Sequence, residues 1–135
     1  MAGYSGTPLV KKLGIKPGFS IMIKNPPMQY DQLVADLPAD VTLVKAWRKE
    51  LDFIHLFATE SKQIKKLIDQ ARKYVAPNGM IWVSWPKKAS KVSTDITEDT
   101  IRNHALTIDL VDVKVCAVNE VWSGLKLVIR KEKRR

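Results

Sequence analysis

Trp85, Lys87 and Lys88 close the hydrophobic run GMIWVSWPKK, residues 79–88, and Thr94 and Asp95 follow just before a helix start. Two lysines near a helix start can hold a phosphate, while an indole face stacks on a base or another planar group. The competing reading leaves both lysines in solvent and packs Trp85 on a neighbouring loop. Asp95 favours it, because a carboxylate capping that helix would repel an anion arriving there. Lys24 and Asn25 end an earlier apolar run and Trp47 ends another. The candidate ligand-binding set is therefore Lys24, Asn25, Trp47, Trp85, Lys87, Lys88 and Thr94.

The other chemistry-bearing residues read as structural. His55 interrupts the apolar DFIHLFAT as a hydrogen-bonded core histidine, His104 falls on a helix, and neither makes a metal-ligand spacing with Cys116. Cys116, the single cysteine, sits in VKVCAV as a small core residue with no disulfide partner. No GxSxG elbow, P-loop or GxGxxG occurs, which disfavours the standard hydrolase and nucleotide-binding mechanisms. No catalytic residue is assigned. Asp112 and Lys114 share a face of an alternating segment, as a surface pair or a contact with the preceding helix. Gly124, inside a strand, suggests a bulge or a close backbone approach, the bulge being the favoured reading.

These residues hang on a simple order of elements. Pro8 opens a short helix over LVKKLG, and Pro17 and Gly18 lead into FSIMIK, 19–24, a near-continuous apolar run that fits a strand covered on both faces. YDQLVADL, 30–37, has helical spacing and VTLVKAW, 41–47, is strand-like. DFIHLFAT, 52–59, is a buried strand. Ile64, Leu67, Ile68, Ala71 and Val75 then predict a helix, capped by Thr59 or Ser61 and ended by Pro77, Asn78 and Gly79. After the strand MIWVSW, 80–85, Asp95 and Glu98 form a capping-box pattern for a helix through Ile108. LVDVKVCAV, 110–118, and VWSGLKLVIR, 121–130, make a terminal hairpin. The class is α/β, a mainly parallel sheet with an antiparallel edge.

Bulk properties narrow the setting. At 135 residues the chain is expected to form a single domain: an N-terminal arm over 1–18, a core over 19–130 and a basic tail over 131–135. Met1 to Gly6 lacks a secretory pattern and no run of eighteen apolar residues occurs, so a soluble cytoplasmic protein without membrane contact is expected. Of the net charge of +9, residues 126–135 supply +5, so the basicity is mostly terminal. Such a tail reads first as a solvated end that frays, and second as a phosphate binder.

Two stretches resemble the Rossmann-like fold of S-adenosylmethionine-dependent methyltransferases. LGIKPGFSIMIKN is similar to the lead-in and first strand of that fold, and ARKYVAPNGMIWVSWP to its helix, Pro-x-Gly turn and fifth strand, with DFIHLFA in the place of the fourth. The resemblance implies a three-layer sandwich whose reversed last strand is the terminal hairpin. The whole chain also resembles a bacterial family of small proteins of unknown function, through YSGTPLVKKLGIKPG, GMIWVSWPKK, TDITEDTIR and VDVKVCAVNEVWSGLKLV. In the methyltransferase fold the cofactor needs glycines after the first strand and an acid after the second. Here Lys24, Asn25, Pro26 and Pro27 fill the first position, and Lys45, Trp47 and Arg48 the second. The expectation is a binding protein that has lost the cofactor loop and uses no cofactor or metal, with an anionic ligand or nucleic acid as partner. The alternatives are an enzyme with atypical S-adenosylmethionine binding, or nucleic-acid binding through the tail with Lys87, Lys88 and Lys91.

Overall fold

A computed structural model describes residues 7–134, so the reading of Met1 to Gly6 lies outside the described residues. The chain order is α1 (Leu9–Leu13), β1 (Ser20–Lys24), α2 (Tyr30–Leu33), β2 (Thr42–Val44), β3 (Leu51–Phe57), α3 (Ser61–Tyr74), β4 (Val75–Pro86), α4 (Glu98–Leu106), β5 (Leu110–Ala117) and β6 (Trp122–Ile129). One six-stranded sheet has the order β2-β1-β3-β4-β6-β5. β1 to β4 are parallel, β6 runs antiparallel to β4, and β5 closes the hairpin on β6. This is a Rossmann-like α/β sandwich with helices on both faces, as the apolar strands between helical segments required.

Strand alternation divides the core into two layers. Ile54 and Leu56 of β3, with Ile81, Val83 and Trp85 of β4, face α3 and α4, which bury Ile64, Ile68 and Ala71 and Ile101 and Ala105 against them. Phe53 and Phe57, with Trp82 and Ile21, face the N-terminal arm, whose Val10, Leu13 and Ile15 are buried there. The Trp82 Nε1–H donates to the Leu13 carbonyl at 2.9 Å and ties the arm to the middle of the sheet.

Four local readings change. The expected helix over 30–37 is one turn, Tyr30–Leu33, and the expected strand over 41–47 is only Thr42–Val44. β2 is an edge strand paired only with β1, so less of it is held. Pro77, Asn78 and Gly79 do not stop α3, which ends at Tyr74 with β4 following at once. They form an irregularity in β4 between the pairs Leu51–Val75 and Phe53–Met80. Glycine is needed there, since a Cβ at Gly79 would lie 2.8 Å from the Leu51 carbonyl oxygen. Gly124 is no bulge either: it pairs regularly with Ser84 and Cys116, and a Cβ there would lie 3.1 Å from the Trp82 ring. The hairpin's irregularity lies between Asp112 and Lys114. It sends Asp112 to Arg102 of α4 at 3.0 Å and leaves Lys114 opposite Lys126.

The tail does not trail away. Lys131–Lys133 form a 3-10 turn, and Arg134 Nε donates back to the Ile129 carbonyl at 2.8 Å. Among the described residues no helix is long and apolar enough to cross a membrane.

Candidate functional site

β4 ends at Pro86 on the carboxyl edge of the parallel strands, the edge where open α/β sheets bind ligands. The chain then makes a 3-10 turn, Lys88–Ser90, held by the Ser90 hydroxyl on the Lys87 carbonyl at 2.6 Å and by Lys87 N–H on the Val121 carbonyl at 2.7 Å. Lys91 follows with φ 65, and an extended segment leads to α4. Between this turn and segment lies a cavity of about 550 Å³, whose lining includes Trp85, Lys88, Lys91, Thr94 and Ile96. Trp85 is 8% exposed and belongs to the core on its other side. A second cavity of about 590 Å³, between Thr59, Glu60 and Lys62, shares Ser93, Thr94 and Asp95 with the first.

Three hydrogen bonds pin that shared wall. The Thr94 hydroxyl donates to the Thr59 carbonyl at 2.6 Å, joining the segment to the end of β3. Asp95 accepts from the Ser61 N–H at 2.7 Å and the Ser61 hydroxyl at 2.8 Å. These bonds hold the Asp95 carboxyl below its ordinary pKa. The capping-box reading is therefore corrected. Asp95 serves the start of α3, and α4 is capped by Thr97, whose side chain accepts from Thr100 N–H while the Thr100 side chain accepts from Thr97 N–H. The objection that Asp95 caps the helix beside Lys88 goes with it, although its carboxylate still borders both cavities.

Of the sequence-derived set, Trp85, Lys88 and Thr94 line one cavity. Lys87 is half-buried beside it. Lys24 and Asn25 end β1, on the far side of β3, and line neither cavity. Trp47 lies at the opposite edge, stacked on Tyr74 with ring centroids 5.5 Å apart. No helix intervenes between β2 and β3, so the chain crosses directly to the amino edge, where Arg48 reaches the Ser20 hydroxyl and Asp52 accepts from Ser20 N–H. The tail is at the amino edge too, because β6 runs against β4. Lys87, Lys88 and Lys91 are thus separated from the tail by the length of the sheet.

His55 is a core histidine, and the sequence did not show its partners. Its Nδ1 meets the Tyr30 hydroxyl and its Nε2 the Ser84 hydroxyl, each at 2.7 Å. Burial lowers the imidazole pKa to about 3 and raises that of Tyr30 well above its ordinary value. The order Tyr, His, Ser resembles a nucleophile relay, but His55 and Ser84 have zero exposure and no substrate carbonyl could approach. The three residues are a satisfied polar chain inside an aromatic core, with Phe57 stacked on the imidazole at 4.2 Å. Cys116 is half-buried and burial raises its thiol pKa. Among the described residues no group of three or more His, Cys, Asp or Glu side chains could hold a metal ion.

The backbone after β1 does not fit a methyltransferase cofactor. Asn25 takes a left-handed conformation, φ 57, and exposed Pro26 and Pro27 follow. These prolines lack N–H donors, and the one-turn α2 presents no long helix start to the ligand. β2 ends at Val44 and is followed by exposed Lys45, so no acid stands where the ribose hydroxyls would need one.

Comparison with known proteins agrees with the architecture. Residues 35–131 match the family model described as "Protein of unknown function (DUF3052)". The structure is similar to an S-adenosylmethionine-dependent methyltransferase from Aquifex aeolicus, with TM-score 0.63 and 12% identity over 90% of this chain and 87% of that one. It is similar to a putative type 11 methyltransferase from Sulfolobus solfataricus, with TM-score 0.64 and 11% identity over 94% and 92%. A ribosomal protein L11 methylase from Lactobacillus delbrueckii subsp. bulgaricus gives TM-score 0.60 and 10% identity over 90% and 75%. At these identities the likeness is one of fold. No curated protein matches the sequence.

Proposed function

The chain belongs to the DUF3052 family of proteins of unknown function, and from that premise we propose that it is a cytoplasmic, single-domain binding protein working without catalysis. Its ligand is a small planar anion held at the carboxyl edge. The observation that carries this reading is the cavity of about 550 Å³ that Trp85 lines together with two exposed lysines, Lys88 and Lys91. It occupies the edge where this fold class binds ligands, while the loop after β1 lacks what a methyltransferase cofactor needs. Stacking and ammonium–phosphate attraction together suit a nucleotide-like molecule.

Calorimetry with nucleoside mono- and diphosphates tests this. Saturable binding is expected, and exchanging both exposed lysines in K88E/K91E should weaken it at least tenfold. Silence towards every planar anion at millimolar concentration rejects the reading. Micromolar binding of S-adenosylmethionine would instead move the protein to the enzyme alternative.

A further inference from the structure

At the amino edge, opposite the cavity just described, Lys49, Arg72, Lys73 and Lys133 surround a concavity of about 210 Å³. They come from three separate segments. Lys49 lies on the chain descending from β2 to β3, Arg72 and Lys73 are in the last turn of α3, and Lys133 belongs to the turn after β6. Arg72 is oriented by Nε donating to the Ile108 carbonyl at 3.0 Å, with Asp109 at 3.9 Å. Lys49 reaches the Lys73 carbonyl at 3.4 Å and lies over the Tyr74 ring.

A helix C-terminus attracts cations, which accounts for Lys49, Arg72 and Lys73. It does not account for the end of β6, which delivers Lys133 to the same hollow from a run that also contains Arg130, Lys131 and Arg134. Arg130 Nε is buried with no hydrogen-bond partner. The bases in these segments outnumber the acids: Asp109 is shared with Arg72, Glu50 follows Lys49, and Glu132 stands alone within the run Arg130 to Arg134. An oriented guanidinium flanked by ammonium groups around a hollow of this size suits a tetrahedral phosphate.

We propose that this edge is a second site, separate from the carboxyl-edge cavity, that binds phosphate groups. Its source is either a free polyphosphate or the backbone of a single-stranded nucleic acid, the tail cations continuing the track beyond the first phosphate. Four phosphate contacts on a single strand give a slope of about −3 for log affinity against log salt.

The test uses the full chain, with pyrophosphate and a labelled twelve-nucleotide single strand as probes, by calorimetry and fluorescence anisotropy at 25 and 200 mM salt. Lys49 and Lys133 are exposed, so K49E/K133E should fold, and circular dichroism checks it. The milder K49Q/K133Q serves if it does not. The expected result is binding that weakens with salt and falls at least tenfold in the amino-edge variant, a larger loss than in K88E/K91E at the other edge. Binding of the oligonucleotide assigns the phosphates to nucleic acid; binding of pyrophosphate alone assigns them to a free ligand. No binding of either probe, or equal losses in the variants of the two edges, overturns the site.

Discussion

Lowering the pH from 7 to 5 should cost the fold about 2 kcal/mol through His55 alone. In the folded protein the imidazole is wholly buried and its pKa is pushed down to about 3, against the ordinary 6.5. The groups facing it are the Tyr30 and Ser84 hydroxyls and the rings of Phe53 and Phe57, so no carboxylate compensates a positive charge there. A depressed histidine pKa means that between pH 6.5 and 3 only the unfolded chain takes up the proton, and stability falls as pH falls through that window. Over the roughly 1.5 units below 6.5 that are traversed by pH 5, at about 1.4 kcal/mol per unit, the loss is about 2 kcal/mol. It depends on the unfolded pKa rather than on how far below 5 the folded value lies. Urea unfolding followed by tryptophan fluorescence measures it. With an m-value of about 1.5 kcal/mol/M the midpoint should fall by about 1.3 M. Other groups titrate in the same range, so the decisive quantity is the difference between parent and H55Q, which keeps hydrogen-bonding capacity without the titration. H55Q should be less stable at pH 7, and its deficit should shrink by about 2 kcal/mol at pH 5. A deficit that is the same at both pH values would refute a neutral buried imidazole.

Two further perturbations address the fold around the carboxyl edge. G124A places a methyl group 3.1 Å from both the Trp82 ring and Val118, and overpacking of this kind should cost about 1–3 kcal/mol in the same urea assay. An unchanged midpoint would mean that β6 shifts freely. D95A removes the acceptor of the Ser61 N–H and hydroxyl, so the parent should be the more stable at neutral pH. Because the Asp95 pKa is lowered, that advantage is present above the ordinary carboxyl range and vanishes as pH falls through the folded value; two thermal melting curves that fail to converge at acid pH would contradict the capping role.

The sequence was most legible where one strong periodic signal met a partner of matching length. FSIMIK, DFIHLF and MIWVSW are mostly apolar because β1, β3 and β4 are covered on both faces. α3 was readable from Ile64, Ile68 and Ala71, whose spacing follows from a single buried stripe. The second helix and strand were overread because propensity alone does not supply a packing partner, and β2 lies at the sheet edge. Asp95 and Glu98 imitate a local capping box, while the real acceptor relationship spans 34 residues, from Asp95 to Ser61. The Tyr30–His55–Ser84 chain was invisible for the same reason, its links spanning 25 and 29 residues. At Gly124 the close approach, not the favoured bulge, is what the structure contains, since both leave the same trace in sequence.

Residues 45–50 connect what this chain lacks with what it carries. The strand that resembles the methyltransferase fourth strand is here the third in chain order, and no helix intervenes between β2 and β3. The connection therefore turns down one face instead of building outwards. That route leaves β2 as a three-residue edge ending in Val44 and Lys45, with no acid at the carboxyl edge to hold a ribose. It also brings Trp47 onto Tyr74 and Lys49 beside Lys73 at the amino edge, next to the basic turn after β6. One shortened connection thus removes an element of the usual cofactor site and completes a cationic hollow at the other end of the sheet. Inserting a flexible glycine-serine segment after Lys45 separates the two effects: the amino-edge hollow should lose Lys49 and its phosphate affinity, while binding at Trp85 and Lys88, on the far side of β3, should remain.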